Sequence, residues 1–249
     1  MIRLVAFDLD GTLALSKQPL DDDMVERIAD LLDVAMIDVI SGGDWPQFEK
    51  QVIGRMAPRA NLANLFVQPT TGTKMYRFVD GGWQAVYAEL FSEEERKTII
   101  DAFDTAMREE GFDRGETWGE RVEDRGSQVT FSALGQQAPL EAKDSWDPDH
   151  AKRKLLQARL RKVLPDLSIN IGGATSVDIT RKGVDKQYGL RKLMPIAGVA
   201  KEEMLFIGDA IFPGGNDYPA KEMGLDVIRV ASVDQTKGAI ATLALLLKR

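Results

Sequence analysis

The sequence predicts an α/β fold, a core built on a parallel sheet and interrupted by an inserted α+β domain. Three observations carry this expectation. Short apolar runs rich in branched residues, such as Ile2 to Phe7 and Met36 to Ile40, stop at polar residues, as strands buried on both faces do. Stretches with helical apolar spacing separate these runs, and strand–helix alternation implies parallel pairing. The middle of the chain drops the alternation for hairpin and capping signals, and the last stretch resumes it.

The first strand, Ile2 to Phe7, ends at Asp8. Asp21 to Leu32 follows as a helix: Met24, Val25, Ile28, Leu31 and Leu32 share a face, and acidic residues fill the first turn, where the helix dipole favours them. Met36 to Ile40 is a second strand, stopped by Ser41-Gly42-Gly43, and Asp44 is the N-cap of a helix running towards Arg55. Leu65 to Val67 is a third strand. Met75 to Val79 and Gln84 to Tyr87 flank Asp80-Gly81-Gly82, a hairpin signal. Ser92 with Glu95 makes a capping box ahead of a helix to about Glu110. Gln128 to Phe131 is a short strand. Asp147-Pro148 opens a basic helix to about Leu164, with proline at its first position. Ser168 to Ile171 and Ser176 to Ile179 are strands beside Gly172-Gly173. A helix follows Asp185, Met204 to Ile207 is a strand ending at Gly208-Asp209, Val227 to Val230 is another, and Ala239 to Leu247 is the final helix. The core therefore takes residues 1–84 and 183–249, and the insertion residues 85–182.

Composition bounds the chemistry. The 249 residues are 44% apolar and 29% charged, an ordinary globular balance with room for one large or two modest domains. With no cysteine and one histidine, thiolate and multi-histidine metal sites are excluded. A formal charge of −7 argues against a nucleic-acid surface, which wants clustered Lys and Arg. No segment reaches the roughly 18 apolar residues that span a bilayer, and Met1 to Phe7 lacks a cleavage-site pattern. The expectation is a cytoplasmic protein with no nucleic-acid and no membrane partner.

Four strand ends and helix starts carry the chemistry. Asp8-Leu9-Asp10-Gly11-Thr12 follows the first strand, and reactive groups of open parallel sheets gather at such carboxyl ends. One carboxylate can attack phosphorus, and the second can protonate the leaving group. A plain Asx-type turn is the alternative for this segment. Ser41, with the Gly42 and Gly43 amides before a helix start, makes an anion site, or simply a capped helix. Lys186 can hold phosphate oxygens as a point charge, or be a solvated surface lysine. Asp209 ends a strand as Asp8 does, and Asn216 and Asp217 follow in a Gly-rich loop. Carboxylates with phosphate oxygens suit Mg²⁺, which phosphoryl transfer needs to neutralise charge.

The ordered set resembles the four motifs of the haloacid dehalogenase superfamily, over almost the whole chain. Asp8 to Thr12 is similar to motif one, Ser41 to motif two, Lys186 to motif three, and Asp209 with Asn216-Asp217 to motif four. The resemblance implies a Rossmann-like core with a type IIB (C2B) α+β cap between motifs two and three. It implies phosphorylation of Asp8, acid/base work by Asp10, phosphoryl-oxygen contacts from Thr12, Ser41 and Lys186, and Mg²⁺ held by Asp8, the Asp10 carbonyl and Asp209, with Asn216 and Asp217 in the same motif. A narrower resemblance is to eukaryotic-type phosphomannomutases, carried by Ser41-Gly42-Gly43-Asp44, Ser176-Val177-Asp178, Gly183-Val184-Asp185-Lys186 and Pro213-Gly214-Gly215-Asn216-Asp217. It implies that Ser176 and Asp178 contact a sugar and that Arg125 contacts a second phosphate.

Part of the arginine clamp that those mutases place around the second phosphate is replaced here, by Ser132 in the insertion and by Lys17 after the first motif. Neither gives the bidentate contact of Arg. The expectation is therefore a Mg²⁺-dependent phosphatase of a phosphorylated sugar or similar small metabolite. A phosphomannomutase or hexose-phosphate mutase is the alternative, and a phospho-accepting signalling receiver a more distant one. The cap is expected to open and close, and a homodimer through the cap is left open.

Overall fold

The computed structural model describes residues 1–172 and 175–248, the side chains of Leu140 and Asp144 excepted, so Gly173 of the expected Gly-Gly lies outside the described residues. Leu4, Val5, Ala6 and Phe7 are all fully buried, so strand β1 (Leu4–Phe7) is covered on both faces. Then come α1 (Asp22–Leu32), β2 (Met36–Ile40), α2 (Trp45–Gln51), β3 (Leu65–Gln68), the one-turn α3 (Pro69–Gly72), β4 (Lys74–Val79) and β5 (Gly82–Ala88). The middle of the chain forms α4 (Glu93–Glu109), β6 (Val122–Asp124), β7 (Val129–Ser132), α5 (Leu140–Trp146), α6 (Ala151–Val163), β8 (Leu167–Ile171) and β9 (Ser176–Arg181). The last part forms α7 (Lys186–Ala197), β10 (Met204–Gly208), α8 (Tyr218–Glu222), β11 (Asp226–Arg229) and α9 (Val233–Leu247).

The chain divides into two compact units, Met1–Ala88 with Val184–Arg249, and Glu89–Gly183. The first is α/β. Its sheet runs β11-β10-β1-β2-β3-β4-β5, parallel from β11 to β3 and antiparallel at the β4–β5 hairpin. β5 pairs with β4 as far as Ala88, so this unit extends past residue 84. Alternate residues of β1 serve opposite layers. Val5 and Phe7 pack with Met24, Ile28 and Ile240, while Leu4 and Ala6 pack with Leu190, Leu193 and Ala220. Full burial of each larger apolar side chain contributes about 1.5–3 kcal/mol.

Two local features shape the ends of β2 and β3. Thr70 (φ 50°, ψ 46°) and Thr71 (φ 58°, ψ 35°) lie in the left-handed region inside α3. Non-glycine residues held there cost about 1–3 kcal/mol each. The Thr70 amide donates to the Gly43 carbonyl at 2.8 Å and the Thr71 amide to the Ser41 carbonyl at 2.9 Å, tying this turn to the end of β2. The Tyr87 hydroxyl donates to the Gly72 carbonyl at 2.8 Å.

The second unit carries an antiparallel sheet, β6-β7-β9-β8, with Phe103 of α4 stacked on Phe131 of β7 at 4.9 Å and Leu156 and Leu160 of α6 in the same core. Ser92 and Glu95 form the expected capping box of α4. The basic helix differs from expectation. It starts at Ala151, and Pro148 sits in the turn after α5, a helix the pattern did not signal. Asp147 still caps it, accepting from the Lys152 amide at 2.9 Å and the Arg153 amide at 3.1 Å, because its carboxylate is pinned by the buried Arg153 guanidinium. α9 starts at Val233, earlier than Ala239, where the Ser232 hydroxyl caps it by accepting from the Gln235 amide at 3.3 Å; its polar first turns carry no apolar pattern. Among the described residues, no helix is long and apolar enough to cross a membrane.

Candidate active site

Parallel pairing brings the ends of β1 and β10 side by side, the Asp8 amide donating to the Ile207 carbonyl at 3.0 Å. Asp8 is buried at the end of β1, and the chain turns at once. Gly11 makes this turn at φ 89°, and a Cβ there would lie 2.6 Å from Asp209 Oδ2. Gly11 thus satisfies both the backbone and the close approach of the Asp209 carboxylate.

Lys186 opens α7, whose N-cap Asp185 accepts from the Tyr188 amide at 2.9 Å. Its side chain is 2% exposed, and its ammonium donates to both Asp8 Oδ1 and Asp217 Oδ1. Asp217, fully buried before α8, also accepts from the Ala210 amide at 2.9 Å. Asp8, Asp209 and Asp217 each offer a carboxylate oxygen, all within 4.8 Å of one another. Burial pushes the Asp8 carboxyl up to about 7 against the pull of Lys186, and Asp217 and Asp209 add to the rise. Burial would depress Lys186, but Asp8 and Asp217 hold it above its usual value. Asp209 is raised by burial and then by Asp217.

Asp10 stands apart from this cluster. Its Oδ2 accepts from Gln47 Nε2 at 3.0 Å, and its Oδ1 from the Lys17 amide at 2.7 Å and Gln51 Nε2 at 3.2 Å. Gln51 Nε2 also donates to the Gln18 carbonyl at 2.6 Å. Sequence reasoning missed both glutamines. Their i, i+4 spacing in the helix after Asp44 was the available signal, since residues so spaced share a helix face. Lys17 is itself left-handed (φ 58°) and exposed, and it meets Asp10 through its backbone.

Ser41 is buried at the end of β2, its Oγ facing the Gly43 amide at 3.5 Å. Asp44 precedes α2 without capping it by its side chain. Its carboxylate takes the Lys74 ammonium at 2.6 Å instead. Thr12 is fully buried, and its hydroxyl has no hydrogen-bond partner among the described residues, which suits a donor to a bound anion. The first unit thus brings together Asp8, Lys186, Asp209 and Asp217, with Asp10 beside them on its own donors. Asn216 is exposed, next to the buried Asp217. The residues present fit a magnesium ion. Three oxygen donors converge, and one ammonium meets the charge of three carboxylates.

Arg125, Ser176 and Asp178 belong to the second unit. Arg125 pairs with Glu123 at 2.8 Å. Asp178 accepts from the Thr130 hydroxyl at 2.7 Å across the β7–β9 pair, and burial raises its carboxyl. Ser176 lies opposite Ser132, whose hydroxyl is buried against the Gly135 carbonyl and the Thr175 hydroxyl, each at 3.1 Å.

The family described as eukaryotic phosphomannomutase matches residues 24–243 of the chain. Phosphomannomutase of Spinacia oleracea is 26% identical over 223 residues, covering 86% of this chain and 84% of that protein. The Saccharomyces cerevisiae enzyme of that name is 28% identical over 229 residues, covering 86% and 83%. Among solved structures, Plasmodium falciparum IMP-nucleotidase superposes with a TM-score of 0.74 at 14% identity, over 99% of this chain and 69% of that one. Trehalose-6-phosphate phosphatase of Aspergillus fumigatus gives 0.59 at 17% identity, over 98% and 93%. At such identities the two structures speak to the fold alone.

Proposed function

This chain belongs to the eukaryotic phosphomannomutase family of the haloacid dehalogenase superfamily, and from that premise we propose that it transfers phosphoryl groups on hexose phosphates through an aspartyl-phosphate at Asp8. The observation that carries the chemistry is the Lys186 ammonium shared by Asp8 and Asp217, with Asp10 held outside that cluster by amide donors. Two carboxylates in such different surroundings suit different tasks.

In the proposed reaction an Asp8 oxygen forms a bond to phosphorus while the bond from phosphorus to the sugar oxygen breaks. Asp10 supplies the proton that the leaving oxygen takes up. Lys186, Thr12 and Ser41 orient the phosphoryl oxygens, with Gly42 and Gly43 amides beside them. A magnesium ion held by Asp8, Asp209 and Asp217, with the Asp10 carbonyl, would offset the repulsion between carboxylate and phosphate. In the second half, Asp10 takes a proton from the acceptor hydroxyl as the phosphoryl group leaves Asp8.

The acceptor decides between isomerisation and hydrolysis. The residue pattern alone puts hydrolysis first. Family membership favours isomerisation, a hexose 1-phosphate exchanging with its 6-phosphate through a bisphosphate. Hydrolysis keeps one specific support: Ser132, which stands where the mutases hold an arginine, spends its hydroxyl inside the second unit. The test is to incubate protein and Mg²⁺ with mannose and glucose 1- and 6-phosphates, with and without hexose 1,6-bisphosphate. Isomer composition and free phosphate are followed together, with Asp8→Asn as control. Bisphosphate-dependent isomerisation with little phosphate release is the expected result. Phosphate release without isomerisation would replace the mutase reading by the phosphatase one. Turnover that survives Asp8→Asn would sink both.

A further inference from the structure

The turn at the end of β3 holds a conformation that its sequence does not favour. Thr70 and Thr71 are β-branched, yet both sit at positive φ, 50° and 58°. β-Branched residues are genuine outliers there. Strain of this kind persists where surrounding contacts enforce it, and it clusters at functional sites. Here the contacts are the Thr70 amide on the Gly43 carbonyl at 2.8 Å and the Thr71 amide on the Ser41 carbonyl at 2.9 Å. Those two carbonyls flank Gly42 in the loop proposed to receive the phosphoryl oxygens.

The two threonines then differ. Thr70 is fully buried, and its hydroxyl is taken by Thr73 Oγ1 at 2.7 Å. Thr71 is partly exposed, and its hydroxyl makes no hydrogen bond among the described residues. That hydroxyl oxygen is the nearest neighbour on the open side of Gly42, 3.8 Å from where a Cβ would lie.

We infer that Thr71 is a further substrate-binding residue, its hydroxyl donating to an anionic oxygen of the phosphorylated substrate above Ser41-Gly42-Gly43. The inference rests on the phosphoryl-transfer reading of this site. The strained turn is what aims the hydroxyl. A glycine at 71 would relax the backbone and remove the donor, so the position trades stability for a contact with substrate.

Steady-state kinetics, melting temperature and calorimetric binding of inorganic phosphate in Mg²⁺ test this on the full chain. Thr71→Val keeps the branched shape without the hydroxyl, and is expected to lower both kcat/KM and phosphate affinity about tenfold. Thr71→Ser should recover most of what the valine loses. Thr71→Gly should melt higher than the wild type while losing kcat/KM as the valine does. Wild-type phosphate affinity and kcat/KM in Thr71→Val would overturn the inference. So would a Thr71→Gly variant with undiminished kcat/KM. An Asp8→Asn variant that still turns over substrate would instead overturn the reading beneath it, whatever Thr71 does.

Discussion

Gln47 Nε2 donates to Asp10 Oδ2 across 3.0 Å, and Gln51, one helical turn further along α2, donates to the other oxygen of the same carboxylate. A Cβ on Gly43 would collide with the Gln47 amide, so that residue must be small for the glutamine to reach. Gln47→Leu should therefore let the Asp10 carboxyl rotate. A loss of about 10- to 100-fold in kcat is expected, with KM nearly unchanged, because misplacement costs the transition state more than the ground state. Gln47→Leu with Gln51→Leu should cost less than the product of the single effects. Unchanged kcat in the double variant would remove the glutamines from the mechanism.

Lys186→Met leaves Asp8 and Asp217 buried without their ammonium. Breaking a buried pair from one side costs about 3–5 kcal/mol. Chemical denaturation without divalent ions should show a loss of this order, and turnover should vanish. A variant as stable as the wild type would mean that solvent, and not Lys186, balances these carboxylates.

Mg²⁺ should raise the melting temperature of the wild type, since ligands that bind only the folded state stabilise it. Asp209→Asn removes one of the three convergent carboxylates and should shrink the rise. Scanning calorimetry over a range of Mg²⁺ concentrations makes the comparison. An equal rise in both proteins would place the ion elsewhere.

Asp38 gives a pH test of stability. It lies in β2 between Ala6 and Phe66, fully buried, and neither carboxyl oxygen has a hydrogen-bond partner among the described residues. Burial raises its carboxyl well above 3.8, with Lys186 pulling the other way. Below 3.8 both folded and unfolded chains keep the proton. Above it the unfolded chain releases a proton that the folded chain retains. Stability then falls by about 1.4 kcal/mol per pH unit until the folded pKa is reached. Asp38→Leu abolishes this loss, so its advantage over the wild type in urea should grow as the pH rises above about 4. A difference independent of pH would mean that Asp38 is solvated.

Much of this was legible beforehand, and the exceptions share a cause. Met36 to Ile40 was readable as a strand to the residue, because branched apolar residues end at Ser41-Gly42-Gly43. Asp8, Lys186 and Asp209 were readable as candidates because each ends a strand or starts a helix, and the fold brings their side chains together. Gln47 and Gln51 were not, since an amide near a helix start has no chemistry until its partner is known. The left-handed Thr70 and Thr71 were hidden for the opposite reason: threonine signals extended backbone, and tertiary hydrogen bonds to Ser41 and Gly43 override it. Pro148 read as a helix start, but the Asp147–Arg153 pair fixes the real start of α6 at Ala151.

The sheet order has a consequence during synthesis. β1 lies between β2, which follows it closely, and β10, which is made only after the whole inserted unit. Until Met204 to Gly208 leave the ribosome, one side of β1 is a bare row of amides and carbonyls, flanked by apolar side chains awaiting their partners. Such an edge invites mispairing with other chains. The inserted unit, Glu89–Gly183, is contiguous and can fold as soon as it emerges. The nascent chain thus carries a finished domain on an unfinished one, and the α/β unit is the part that would need a chaperone's protection longest.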